Sequence, residues 1–145
     1  MRTIATYIYI VPFIWLGMIL AISFMEAPLK FQAEGVSLPI GLQIGKLVFG
    51  VFNKVELVWL NILCIGCFFT KHMSFKLVIP LVVLGLLLAI DTFILLPELT
   101  ERADRIIDHQ GVKPSNVHLT YVIIEVLKLV LLFILGLKLS KIKLT

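Results

Sequence analysis

The stretch 115–138 limits the possible folds more than any other, because it is apolar enough to cross a bilayer yet carries ionisable residues along one side. At about 100° per residue, His118, Tyr121, Glu125 and Lys128 fall on one helical face, and Val122, Ile123, Ile124, Val126, Leu127 and Val130 fill most of the remainder. Near the middle of a bilayer, Glu125 and Lys128 are each costly unless paired or hydrated. The stretch therefore reads as a membrane helix with a polar intramembrane site.

The rest of the chain agrees with that reading. Of 145 residues, 60% are hydrophobic and the mean hydropathy is +1.08, far above a soluble domain. The sequence predicts an integral membrane protein with the lipid bilayer as its first partner. The net charge of +4 lies in short flanks between apolar runs, where it serves lipid headgroups and topology; no basic groove offers itself to nucleic acid. The apolar run 4–25 is long enough to span and lacks a small-x-small cleavage site, so it is expected as the first helix rather than a signal peptide. Cys64 and Cys67 lie near the C-terminal end of one apolar helix, where the helix dipole disfavours a thiolate, and they read as packing residues.

Read in order, the chain predicts an all-α fold: an integral membrane four-helix bundle forming one transmembrane domain over 1–145. The spans are expected at about 4–26, 46–70, 77–96 and 116–138, with a short amphipathic helix between the third and fourth. In the first span, Pro12 marks a kink, and Pro12, Trp15, Ile19, Ile22 and Ser23 share the face of Glu26 and point inward. Ala27 and Pro28 are expected to end it, with 29–40 as a loop. In the second span, Lys46, Gly50, Asn53 and Glu56 occupy one sector and Lys54 its edge, with Gly45 and Gly50 admitting a neighbouring helix. Asp91 is the one ionisable residue of the third span. Pro97 is expected to open the amphipathic helix, supported by the i,i+4 pairs Glu98–Arg102 and Glu101–Arg105 and stopped at Gly111. Pro114 and an N-cap at Ser115 or Asn116 then start the last span.

Four spans place both termini on one side. Arg2, the 71–76 turn and the C-terminal tail carry six basic residues against five in the opposite loops, which predicts cytoplasmic termini in an inner or plasma membrane. Tracing the helices by direction gathers polar groups in the half away from the termini. Glu26 falls at that surface, His118 near the mouth, and Asn53, Glu56, Asp91, Tyr121, Glu125 and Lys128 deeper. Functionally this is a hydrated, carboxylate-lined half-channel, closed toward the termini, that binds or passes a cation, a proton or a small polar ligand. The structural alternative is a set of ion pairs that fix helix register, with Lys128 joined either to Glu125 on its own helix or to Glu56 at matching depth. His118 suits interfacial hydrogen bonding or ligation of a metal or haem. The residues themselves name no cofactor, no metal and no catalytic group.

Trp15, Gly17, Phe24, Ala27, Pro28 and Phe31, then Gly45, Val48, Phe49 and Asn53, and finally His118, resemble the pattern of small four-span membrane proteins of unknown function. That family is similar in architecture to copper-resistance D-type membrane proteins and to the haem-pathway four-helix oxidase. The resemblance covers nearly the whole chain and implies a four-helix bundle. The chain departs from the haem-pathway pattern in having no histidine in the first span. The ligand-binding protein is expected as a homo-oligomer or with a membrane partner, and two further functions stand beside it: a haem- or quinone-dependent membrane oxidoreductase using His118, and an accessory subunit whose polar face meets a partner.

Overall fold

The computed structural model describes residues 7–68 and 75–141. Arg2, most of the 71–76 turn, the end of the second span at Thr70, and Lys143 lie outside the described residues. Four long helical runs account for most of the rest: α1 (Ile10–Gln32), α2 (Leu38–Phe68), α3 (Phe75–Ile107) and α4 (Val117–Ser140). No strand occurs among the described residues. α1, α2 and α3 are each long and apolar enough to cross a membrane; α4 is 24 residues long and carries Glu125 and Lys128.

Two prolines expected to end helices do not. α1 continues through Pro28 to Gln32, and α3 continues through Pro97 to Ile107, so Leu96–Ile107 extends α3 rather than forming a helix of its own. The cause is the same in both. A proline lacks the N–H that would meet the carbonyl four residues back, and its ring crowds that carbonyl. Here each proline follows a π-helical segment, Leu20–Glu26 before Pro28 and Asp91–Leu95 before Pro97. The Ala27 N–H reaches back five residues to Ile22 O, and the Leu96 N–H to Asp91 O. The widened turn gives the ring room and keeps the helix running.

The other boundaries follow local chemistry. α2 starts at Leu38, earlier than expected, because Pro39 is tolerated in a first turn and the Gly41 N–H closes onto Ser37 O at 2.9 Å. α3 ends at Ile107 and is stopped at His109 rather than Gly111: His109 is left-handed with φ of 56°, its N–H donates to Ile106 O, and the Gln110 N–H reaches Arg105 O at 2.8 Å. That pair of bonds is a Schellman stop. On this extension Glu101 pairs with Arg105 at 2.5 Å as expected, while Arg102 donates to the Lys113 carbonyl instead of pairing with Glu98. An ion pair between Lys46 and Asp104 ties α3 to α2. At the start of α4 the Ser115 hydroxyl accepts the Val117 N–H at 3.2 Å.

α1 packs along α4, and α2 lies between α1 and α3. The expected inward face of α1 is inward, with Pro12, Trp15 and Ile19 buried. Close approach uses glycines other than Gly50, whose surroundings are open: a Cβ on Gly136 would fall 2.7 Å from the Phe13 ring, and one on Gly66 would fall 2.2 Å from Ile8. The core divides into two apolar clusters. One, toward the termini, holds Trp15, Ile19, Phe52, Leu63, Leu84, Leu88, Leu132 and Leu135; the other, toward the loops, holds Leu95, Val117, Tyr121 and Ile124.

Candidate functional site

Between those clusters lie the buried polar side chains Asn53, Glu56, Asp91, Glu125 and Lys128. Lys128, fully buried, is surrounded by carboxylates from three helices. Its Nζ stands 2.8 Å from Glu56 of α2, 2.8 Å from Asp91 of α3 and 2.5 Å from Glu125 of its own helix. The contact with Glu56 is an aligned hydrogen bond. Those with Asp91 and Glu125 are ion pairs off the hydrogen-bonding direction, and Asp91 Oδ1 has no hydrogen-bond partner.

α1 supplies no charge to this cluster but completes it. Trp15 donates its indole N–H to Glu56 Oε1 at 3.0 Å, and the Ser23 hydroxyl donates to Glu125 Oε2 at 3.1 Å. Alongside, Asn53 donates to the Thr92 hydroxyl at 3.0 Å, and Thr92 donates to the Leu88 carbonyl. Ser23, Asp91 and Thr92 all lie in the two π segments. The proline-induced turns thus fall at the level where polar side chains converge.

Three carboxyls against one ammonium leave two negative charges to be balanced. Unpaired charge is not held in a low-dielectric interior, so the cluster must carry extra protons or take up a cation. Protons bound by groups this close belong to the set rather than to one residue.

Above the cluster, toward the loops, a cavity of about 550 Å³ is lined by all four helices. Its walls are mainly apolar and aromatic, including Phe24, Phe31, Phe49, Leu42, Leu96 and Leu99. Phe49 meets Tyr121 edge to face at 5.6 Å. The Phe31 ring occupies the space a side chain at position 41 would need, a Gly41 Cβ falling 2.2 Å from it. Lys30 and Lys46 also line the wall, and both are already neutralised, Lys30 by Glu26 at 3.3 Å and Lys46 by Asp104. The Lys30 ammonium lies over the Phe31 and Phe49 rings, 5.5 and 5.2 Å from their centroids.

The expected site residues therefore separate. His118, Tyr121 and Glu125 line the cavity; Glu56, Asp91 and Lys128 lie behind it; Asn53 is bonded to Thr92; and Glu26 is taken up by Lys30, away from the carboxylate cluster. Among the described residues, Glu125 alone both lines the cavity and touches Lys128. The cavity wall is mostly apolar rather than carboxylate-lined. His118 is exposed, and among the described residues no group of three His, Cys, Asp or Glu is arranged to hold a metal ion. Sequence reasoning placed Trp15 and Ser23 on the inward face without assigning them partners, and gave no role to Thr92 or Lys30.

The chain matches no protein-family model, no curated protein and no solved structure.

Proposed function

We propose that all four helices cross the membrane, with both termini cytoplasmic in an inner or plasma membrane, and that the loop-side cavity binds a small organic cation. α4 supports the fourth crossing: Glu125 and Lys128 at its middle are buried against other helices, while Leu119, Ile123, Val126, Val130 and Phe133 are exposed where lipid would cover them. The observation that carries the ligand class is Glu125, at once a cavity residue and a member of a cluster short of positive charge. The lysines at the wall are neutralised, so the uncompensated charge facing the ligand is negative.

Recognition follows from the lining. An ammonium group hydrogen-bonds or pairs with Glu125, an apolar body fills the aromatic walls, and ring faces of the kind that already hold the Lys30 ammonium add attraction. A bound cation takes the place of a balancing proton, so binding releases protons to solution. Trp15, Ile19, Leu84, Leu88 and Leu132, all fully buried, close the path toward the termini. This conformation holds a ligand rather than passing it.

Trp15 is the natural reporter, since its indole donates to Glu56. In a Trp59→Phe background reconstituted in nanodiscs, benzyltrimethylammonium should change tryptophan emission saturably, while neutral benzyl alcohol and anionic benzoate should not. Glu125→Gln should weaken the response at least about tenfold, as loss of a charge-assisted contact implies. Equal responses to the three probes, or an unchanged response in Glu125→Gln, would overturn the reading.

A further inference from the structure

The charge of α2 that faces outward has no role in the cavity. Lys54 is exposed and, among the described residues, forms no hydrogen bond or ion pair. At a rise of 1.5 Å per residue it stands about 24 Å from the Leu38 end of α2 and about 21 Å from the Phe68 end. Glu56, one step of two residues away on the opposite side of the helix, touches Lys128, which is midway along the exposed apolar surface that α4 presents from Leu119 to Leu137. Lys54 is also flanked in both directions by exposed apolar side chains, Leu47 at 72% and Val51 at 61% exposure toward the loops, and Val58 at 57% and Ile65 at 58% toward the termini.

Such a lysine cannot stay in lipid. Half of a hydrocarbon layer about 30 Å thick is more than a lysine stem can reach to bring its ammonium to the headgroups. Polar residues at this depth pair with one another or face protein. A second polar group shares the stripe: Asn61, seven residues on, is exposed, and among the described residues its only hydrogen bond runs from its amide to its own helix at Leu57 O. An apolar stripe with a central charge and a hydrogen-bonding amide is a membrane-helix interface without its other half.

We propose that this face of α2 receives a transmembrane helix of a different protein, one that carries an aspartate or glutamate opposite Lys54 and a hydrogen-bonding side chain about 10 Å farther along, opposite Asn61. A second copy of this chain does not fit. Its carboxylates at that depth, Glu56, Asp91 and Glu125, are all buried around Lys128, and a symmetric pairing through α2 about an axis along the membrane normal sets Lys54 against Lys54. The inference is independent of the cavity's ligand.

The test uses the full chain in its native membrane with Val58→p-benzoylphenylalanine as a photo-crosslinker. The expected result is one discrete adduct with another protein, linked in a membrane span that has an Asp or Glu within one turn of the linked residue. Lys54→Met should lower the yield about tenfold, as loss of a buried interhelical contact implies, and Lys54→Arg should preserve it. Lys54→Glu combined with a lysine in place of the partner's carboxylate should restore it. Melting of Lys54→Met in detergent should match the wild type, which separates loss of docking from loss of fold. An adduct with a second copy, with a span that lacks a carboxylate, with lipid alone, or one insensitive to Lys54→Met overturns the proposal.

Discussion

Lys128 Nζ and Glu56 Oε1 lie 2.8 Å apart although they belong to different helices, and the same oxygen accepts the Trp15 indole. Asp91 and Glu125 complete the ring around Lys128, so the two pairings that the sequence left open, with Glu125 or with Glu56, occur together. Lys128→Met should strand three carboxyls and destabilise the protein by about 3 to 5 kcal/mol. Adding Glu56→Gln or Glu125→Gln alone should restore only part, and neutralising all three should restore most, because the residues act as one unit. Thermal melts of the series in detergent check this; equal rescue by one carboxylate alone would show a simple pair.

α4 approaches α1 through Gly136, where a Cβ would fall between 2.7 and 3.0 Å from three atoms of the Phe13 ring. Gly136→Ala should cost about 1 to 3 kcal/mol, as overpacking in a filled interior does. Phe13→Leu should recover much of it by vacating the space. Denaturation in mixed micelles reads both, and no loss in Gly136→Ala would show that the ring swings aside freely.

His109 holds a left-handed conformation at the Schellman stop of α3, where glycine adopts the same backbone without the side-chain clash. His109→Gly should leave the helix end in place and stabilise it by up to about 1 kcal/mol. Slower hydrogen exchange at the His109 and Gln110 amides, relative to the wild type, is the expected readout; faster exchange would mean that the imidazole itself holds the stop.

Much of the site was legible in α4, because helical period depends only on local geometry. The spacing of His118, Tyr121, Glu125 and Lys128 put them on one face, of which the last three are buried and His118 is exposed; the shared face of Pro12, Trp15 and Ile19 was equally visible. Depth arithmetic singled out Glu56 as a partner for Lys128. Asp91 was placed in the polar half but not at that lysine, since its azimuth depends on a π segment that shifts the phase of α3.

By itself the sequence determined an all-helical chain with helices apolar enough to cross a membrane and ionisable groups along particular faces, because hydropathy and the 3.6-residue period are properties of each segment alone. Only the tertiary structure decided that Pro28 and Pro97 are carried inside helices, that Glu26 is spent on Lys30, that three carboxyls share one lysine, and that α2 is turned with Glu56 inward and Lys54 outward. The reason is rotational. A sequence shows which residues lie together on a helix, but the turn of that helix about its own axis, and the widened π turn that admits a proline, are set by the neighbours it packs against.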